Sequence, residues 1–205
     1  MSAPAVEIKK GRKFDQVLEG ARRIFMRDGF EGASVDEIAR EAQVSKATLY
    51  SYFPDKRLLF SEVARLECNR QAEEALAVIG KGATIEHVLR EAGTRILRFF
   101  LSDFGQQVFR ICVAESHRFP ELGRRFFASG PDLVRERLSK VLRPYVEAGI
   151  LKIDDMDLAA NQFGELCKGD LFIRSLCGMC DGATDADVER VVNGAVEMFL
   201  ARYRA

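Results

Sequence analysis

Ala33-Ser34-Val35-Asp36-Glu37-Ile38-Ala39-Arg40-Glu41-Ala42-Gln43-Val44-Ser45-Lys46-Ala47-Thr48-Leu49-Tyr50-Ser51-Tyr52-Phe53 decides the fold. Val35, Ile38, Ala39 and Ala42 recur at helical spacing, which predicts a short helix over 35–42. Ser34 stands at its N-cap with Glu37 three residues on, the pattern of a capping box. Ser45 can cap a second short helix over 46–52, which must stop by Phe53 because Pro54 disfavours helical torsions at the residue before it. Two short helices joined by a tight turn read as a helix-turn-helix.

Working outward, Phe14, Val17, Leu18, Ala21, Ile24 and Phe25 form one face of a preceding helix that Asp28-Gly29 ends. Asp55 can cap a following helix that carries Leu59, Val63 and Leu66, then Leu76 and Ile79. Within 46–52, Val44, Leu49 and Phe53 are expected to point inward with Ile38 and Ala39. Lys46, Ala47, Thr48, Tyr50 and Tyr52 are expected to face out. That outward set suits a major groove. Ala47 and Thr48 are small enough to let the helix sink in, and their methyls can touch thymine methyls. Lys46 can donate to guanine or to a phosphate, and the Tyr50 and Tyr52 hydroxyls can bond phosphate oxygens, which sets register without reading sequence. Ser34 and Lys56 lie at helix N-termini, where anions are favoured.

The chain has 205 residues, 47% hydrophobic and 30% charged, with 31 basic and 31 acidic side chains. Zero net charge excludes a binder held by bulk charge, yet residues 1–57 carry 11 basic and 9 acidic groups, with Lys9, Lys10, Arg12 and Lys13 close together. No apolar run reaches the length of a membrane span, and the basic N-terminal stretch lacks the apolar segment of a signal peptide. Five cysteines, an odd number, read as reduced thiols, so the expected location is cytoplasmic and secreted or membrane classes are set aside.

Gly80-Lys81-Gly82 interrupts the helical pattern and divides the chain into an N-terminal unit (1–57, with 55–79 as a linking helix) and a larger one (80–205). Beyond it the spacing predicts helices near 84–101, 105–117, 121–128, 131–148, 155–176 and 184–203, with Pro144 expected to kink the fourth. No strand-like alternation of useful length occurs. The fold class is all-α: an N-terminal three-helix helix-turn-helix domain plus a larger C-terminal helical bundle.

Residues 13–60, through Ala33–Ala39, Val44–Phe53 and Lys56-Arg57-Leu58-Leu59, resemble the DNA-binding domain of TetR-family transcriptional regulators. The resemblance implies a recognition helix at Lys46–Tyr52 and DNA contacts from Ser34, Ser45, Lys46, Ala47, Thr48, Tyr50, Tyr52 and Lys56. One departure is Gln43, where the family commonly has Gly; a side chain there in a left-handed conformation costs about 1 kcal/mol. The stretch Val113–Leu122, with Gly130-Pro131 and Gly149-Ile150-Leu151, is similar to the AefR/AcrR-like C-terminal domain within the family. This implies a bundle that dimerises and senses a small hydrophobic or amphipathic effector, with repression of a double-stranded DNA operator as the expected output. For dimerisation the residues offer the wide apolar face Val188, Val192, Ala195 and Phe199, with Phe163 and Leu166 on the preceding helix. For the effector they offer ten of the fifteen Phe beyond residue 80, with Phe100, Phe104, Phe109, Cys112 and Phe163 as candidate lining; the same residues also fit a filled core.

Other signals point to less. Cys177-Gly178-Met179-Cys180 is a C-x-x-C without the βαβ context of a thioredoxin and without two further zinc ligands in reach, leaving a redox or metal switch as the alternative to inert thiols. Glu115, Ser116 and His117 are consecutive on a helix, so they point about 100° apart and cannot align as a triad. His87 reads as a surface histidine. No phosphate loop or H-E-x-x-H is present, so no cofactor, metal or enzyme activity is expected.

Overall fold

A computed structural model describes residues 11–78, 82–179 and 182–205. The boundary residues Gly80 and Lys81, together with Ile79, Cys180, Lys9 and Lys10, lie outside the described residues. Eleven helices are described: α1 (Arg12–Gly32), α2 (Val35–Glu41), α3 (Lys46–Tyr52), α4 (Lys56–Val78), α5 (Ile85–Leu101), α6 (Asp103–Glu115), α7 (Pro120–Ser129), α8 (Pro131–Glu147), α9 (Met156–Leu166), α10 (Leu171–Leu176) and α11 (Asp185–Tyr203). Among the described residues there is no strand, only an isolated antiparallel bridge between Leu151 and Arg204 that ties the C-terminus to the α8–α9 loop.

Local chemistry sets most of the boundaries. Ser34, Ser45, Thr84, Ser102, Asp155 and Thr184 each accept a backbone N–H from the first turn of the helix that follows. Gly29 (φ 70°) breaks helical torsions inside α1 where Asp28-Gly29 predicts a stop. The capping box at α2 is only half formed: Ser34 Oγ accepts Glu37 N–H at 3.1 Å, but the Glu37 carboxylate is taken by Arg27 at 2.6 Å. The single helix expected over 155–176 is two. Gly169 has φ 50° and lies so near Val191 that an added Cβ would meet its Cγ1 at 3.0 Å. Close approach of α11 thus breaks the segment between α9 and α10. Helix α8 continues through Pro144, which sits exposed in its last turn, where water can serve the carbonyl left without an N–H.

Two apolar cores result. The first joins α1–α4 and extends into α6, with Phe60 edge-to-face on Phe25 at 4.9 Å and on Phe104 at 5.4 Å between centroids. The second joins α5, α8, α9, α10 and α11 around Leu89, Leu97, Leu142, Phe163 and Phe199. Within the first, α1 and α2 meet so closely that a Cβ on Gly20 would lie 2.8 Å from the Ala42 backbone nitrogen.

Gln43, in the α2–α3 turn, has φ 55°, the one positive value among the described non-glycine residues. The strain expected from sequence is present in the backbone. Gln43→Gly is expected to stabilise the protein by about 1 kcal/mol, raising Tm by roughly 2–4 °C for a chain of this size. A thermal melt followed by circular dichroism checks it; an unchanged or lower Tm contradicts the assignment of strain to this turn.

Candidate nucleic-acid interface and inner cavity

Helix α3 is held by its inner face. Leu49 and Phe53 are buried with Ile38 and Ala39, and Val44 is half-buried against them. Ser45, Lys46, Ala47, Tyr50 and Ser51 are exposed, and Tyr50 keeps 48% of its surface open. Thr48 and Tyr52 are half-buried rather than fully outward. The Thr48 hydroxyl lies 2.9 Å from Ser45 Oγ, whose oxygen also accepts the Thr48 N–H at 3.0 Å. Tyr52 packs its ring edge-to-face on Phe14 at 5.5 Å. Lys46 pairs with Asp36 of α2, both exposed. Ser34 is exposed at the start of α2, which it caps.

Lys56, a candidate phosphate contact, is engaged within the protein. Its Nζ donates to Ala33 O at 2.8 Å and lies 4.4 Å from the Phe30 ring centre, and partial burial lowers its pKa. It braces the start of α4 against the α1–α2 junction. Arg40, on the exposed side of α2 with 80% of its side chain open, is a cation next to this surface that motif reading passes over.

Two polar contacts tie the N-terminal unit to α6 of the larger half, and a third joins α1 to the linking helix α4. Arg57 pairs with Asp55 at 2.7 Å and with Glu115 of α6 at 2.5 Å, and its guanidinium holds the Asp55 carboxyl below the usual range. Gln107 of α6 accepts the Phe30 N–H at 2.6 Å, beside the Gly29 break. Arg22 of α1 reaches Glu67 of α4 at 3.2 Å; the Glu67 side chain is buried and also pairs with Arg70.

The residue after Glu67, Cys68, lines a cavity of about 190 Å³ in the larger half. Its other walls come from α5 (Ile96, Phe99, Phe100), the α7–α8 junction at Gly130-Pro131, α8 (Val134, Leu138) and α9 (Ala160, Gly164). Burial pushes the Cys68 thiol up to about 12, so it is a neutral wall and not a nucleophile. Of the five candidate lining residues, the cavity contains Phe100 alone. Phe104 and Cys112 are buried in the first core, Phe163 is buried in the second, and Phe109 is clasped between Phe126 and Phe172. Arg95 and Arg137, which sequence reading did not select, line it too. A long cationic side chain on a helix ordinarily faces water, so the pattern gave no sign of them.

The candidate dimer face also differs. Val188, Val192, Ala195, Phe199 and Phe163 are buried within the protomer's own second core, and Leu166 is half-buried beside it. The width of that face is used inside the chain, because α11 packs on both α5 and α9. What α9 and α11 leave open is a different set: Leu158 (49% exposed), Met198 (60%) and, on the face of Met198, Ala201, with Gly194 half-buried beside it. Cys177 is exposed, and no cluster of three metal-ligating side chains is found among the described residues. No helix among them is long and apolar enough to cross a membrane.

Comparison with known proteins agrees with this geometry. Residues 17–63 match the family of bacterial regulatory proteins of the tetR type, and residues 87–205 match the C-terminal domain of AefR-like transcriptional repressors. A solved flavonoid-responsive regulator, FrrA, is 36% identical over 95% of this chain and 98% of its own, with a TM-score of 0.71. A TetR-family regulator from Mesorhizobium loti is 25% identical over 97% of this chain and 100% of its own, with a TM-score of 0.76. Among curated relatives, the transcriptional repressor AcnR of Corynebacterium diphtheriae is 36% identical over a stretch that covers 37% of either chain. The biofilm-operon negative regulator IcaR of Staphylococcus aureus is less similar, 21% identical over 70% of this chain and 74% of its own. The chain therefore belongs to the TetR family of DNA-binding transcriptional regulators, with an AefR-like C-terminal domain, and is not an enzyme.

Proposed function

We propose that the protein is a homodimeric repressor that leaves a palindromic operator when a small hydrophobic or amphipathic effector enters the inner cavity. One observation carries this reading: α4 begins at Lys56, directly after the exposed α3, and twelve residues on its Cys68 forms part of the cavity wall. Twelve residues span about 18 Å of helix, so a ligand pressing on Cys68 acts on the same rigid rod that mounts the N-terminal unit. Glu67, its neighbour, passes the displacement to α1 through Arg22, and α6 supplies a second route through Gln107 and Glu115.

In this division, residues 1–57 read DNA, the 55–79 helix couples, and 80–205 dimerises and senses. Lys46, Ala47, Thr48 and Tyr50 face the major groove, with Ser34, Ser45, Tyr52 and Lys56 serving phosphates or bracing the elements that do. Two α3 helices enter major grooves spaced near one helical turn, about 10 bp, or an offset of it. A small change in their separation defeats two-site binding, and an effector that favours the released state by about 3–5 kcal/mol suffices. The name of the flavonoid-responsive relative supports a small aromatic effector for this bundle.

Selection of genomic fragments on the purified protein, followed by anisotropy titration of the enriched sequences at two salt concentrations, tests the reading. A palindrome bound with steep loss of affinity at higher salt is the expected result. Absence of any enriched duplex from ligand-free, refolded protein contradicts it.

The dimer is assigned to the open stripe of α9 and α11. Met198→Glu, combined with Leu158→Glu, is expected to convert dimer to monomer in sedimentation velocity while leaving the melting profile of the protomer core in place. Loss of the second half-site then lowers operator affinity at least tenfold. A double variant that stays dimeric places the interface elsewhere.

A further inference from the structure

The cavity has a charge pattern its apolar walls conceal. Arg95, Arg137 and Lys168 line it against a single carboxylate, Glu165. Lys168 is already committed: its Nζ bonds Glu165 Oε1 at 2.6 Å and lies 5.2 Å from the Phe100 ring centre. Ser129, also at the wall, donates its hydroxyl to Arg125 O at 2.7 Å. Arg95 and Arg137 have no such partner. Their Nε atoms are buried without a hydrogen bond, as is that of Arg135, and unlike Arg135 neither has an ion pair to a carboxylate among the described residues. The contrast along α8 is sharp. Arg135, two residues earlier, also keeps an unbonded buried Nε, but it pairs its terminal nitrogens with Asp132 at 3.2 Å and Asp157 at 3.1 Å, while Arg137 lines the cavity with no ion pair found for it among the described residues.

Two buried Nε donors without acceptors, on half-buried arginines beside an apolar recess, are a costly arrangement unless something supplies acceptors. The planar fork of Arg fits a carboxylate with two parallel hydrogen bonds, which a neutral amide cannot match in charge. Volume limits the rest of the molecule. A cavity of about 150 Å³ lined by aliphatic and aromatic side chains holds one benzene ring, so a cavity of about 190 Å³ takes a ring with a short extension, or a medium-length chain.

We infer that the effector is a compact monocarboxylate, its carboxylate held by Arg95 and Arg137 and its apolar body lying against Ile96, Phe99 and Phe100. This rests on the reading of the cavity as the effector site, and it goes further by fixing the ligand's charge, size and anchoring residues. It also assigns the two arginines opposite parts to the same group, one from α5 and one from α8, so that binding draws those helices together.

Titration calorimetry on the full chain, with cinnamate and octanoate compared against cinnamamide and octanamide, tests it. The carboxylates are expected to bind at least tenfold tighter than their amides. Arg95→Met and Arg137→Met, which keep the apolar stem, are each expected to erase most of that preference, while Arg137→Lys keeps part of it. Amides that bind as tightly as the carboxylates, with Met variants unchanged, overturn the anion site and leave the cavity standing as an effector site. Failure of acids and amides alike overturns both. If a Met variant does not fold, the acid-to-amide ratio in the unaltered protein and in Arg137→Lys still decides.

Discussion

Phe163→Ala is expected to cost about 3–5 kcal/mol, lowering Tm by roughly 6–20 °C in a chain of this length. The ring is fully buried and meets Phe199 edge-to-face at 5.3 Å between centroids. Its surroundings have little freedom to collapse into the space. A Cβ added to Gly93 would already lie 3.0 Å from both Cys167 Sγ and Val192 Cγ1 and 3.5 Å from Phe163 Cζ, so α5, α9 and α11 are at contact distance around the ring. Truncation leaves a cavity, and the penalty sits at the upper end when neighbours cannot move in. The measurement that matters is the melt at two protein concentrations well apart. A loss that is the same at both places Phe163 in the protomer's core. A loss that largely vanishes at the higher concentration, as mass action requires of a contact between subunits, puts it in an interface and contradicts the structure's packing.

That result bears on why α11 misleads as a sequence. Val188, Val192, Ala195, Val196, Phe199 and Leu200 make a face wider than one contact needs, and an unpartnered helix of that kind reads as an interface. Here the chain itself uses the width, with α5 on one flank and α9 on the other. Periodicity states how much of a helix is buried and says nothing of what buries it. The same limit explains Phe104 and Cys112. They read as part of the second half, yet α6 turns them into the first core against Phe60. What was legible rests on local chemistry: the caps at Ser34 and Ser45, the stop at Gly29, the left-handed Gln43 and the inward Leu49 and Phe53 all follow from residues a few positions apart. The break at Gly169 depends on Val191, and the unbonded Nε of Arg137 depends on α9, whose Glu165 is taken by Lys168, so neither is written in its own neighbourhood.

α6 has a second consequence. By contributing Phe104, Val108 and Cys112 to the first core while its Gln107 and Glu115 hold Phe30 and Arg57, it joins the N-terminal unit more firmly than a single linking helix would. In the proposed mechanism these two attachments, α4 and α6, are the routes by which a displacement of the bundle reaches α3. Discrete packed interfaces transmit such shifts because they resist continuous deformation.

Ala47→Glu is expected to separate stability from DNA binding by moving them in opposite directions. Ala47 is exposed in the first turn of α3, two positions after the Ser45 cap. A carboxylate there faces the positive end of the helix dipole and stabilises the helix by about 0.3–1 kcal/mol. On a duplex the same carboxylate sits where α3 must approach bases and phosphates, so it meets like charge and loses its hydration without a partner. In a two-fold complex the penalty is incurred twice, and operator affinity is expected to fall at least a hundredfold while Tm holds or rises slightly. Asp36→Asn supplies the converse. It removes the acidic partner that Lys46 must release, and affinity is expected to rise several-fold with a steeper salt dependence, because Lys46 then serves phosphate alone. Anisotropy titrations on the enriched operator and on a random duplex, at two salt concentrations, read both variants. If Ala47→Glu binds the operator as the unaltered protein does, α3 does not enter the groove, and the DNA-reading surface must lie on another face of the three-helix unit.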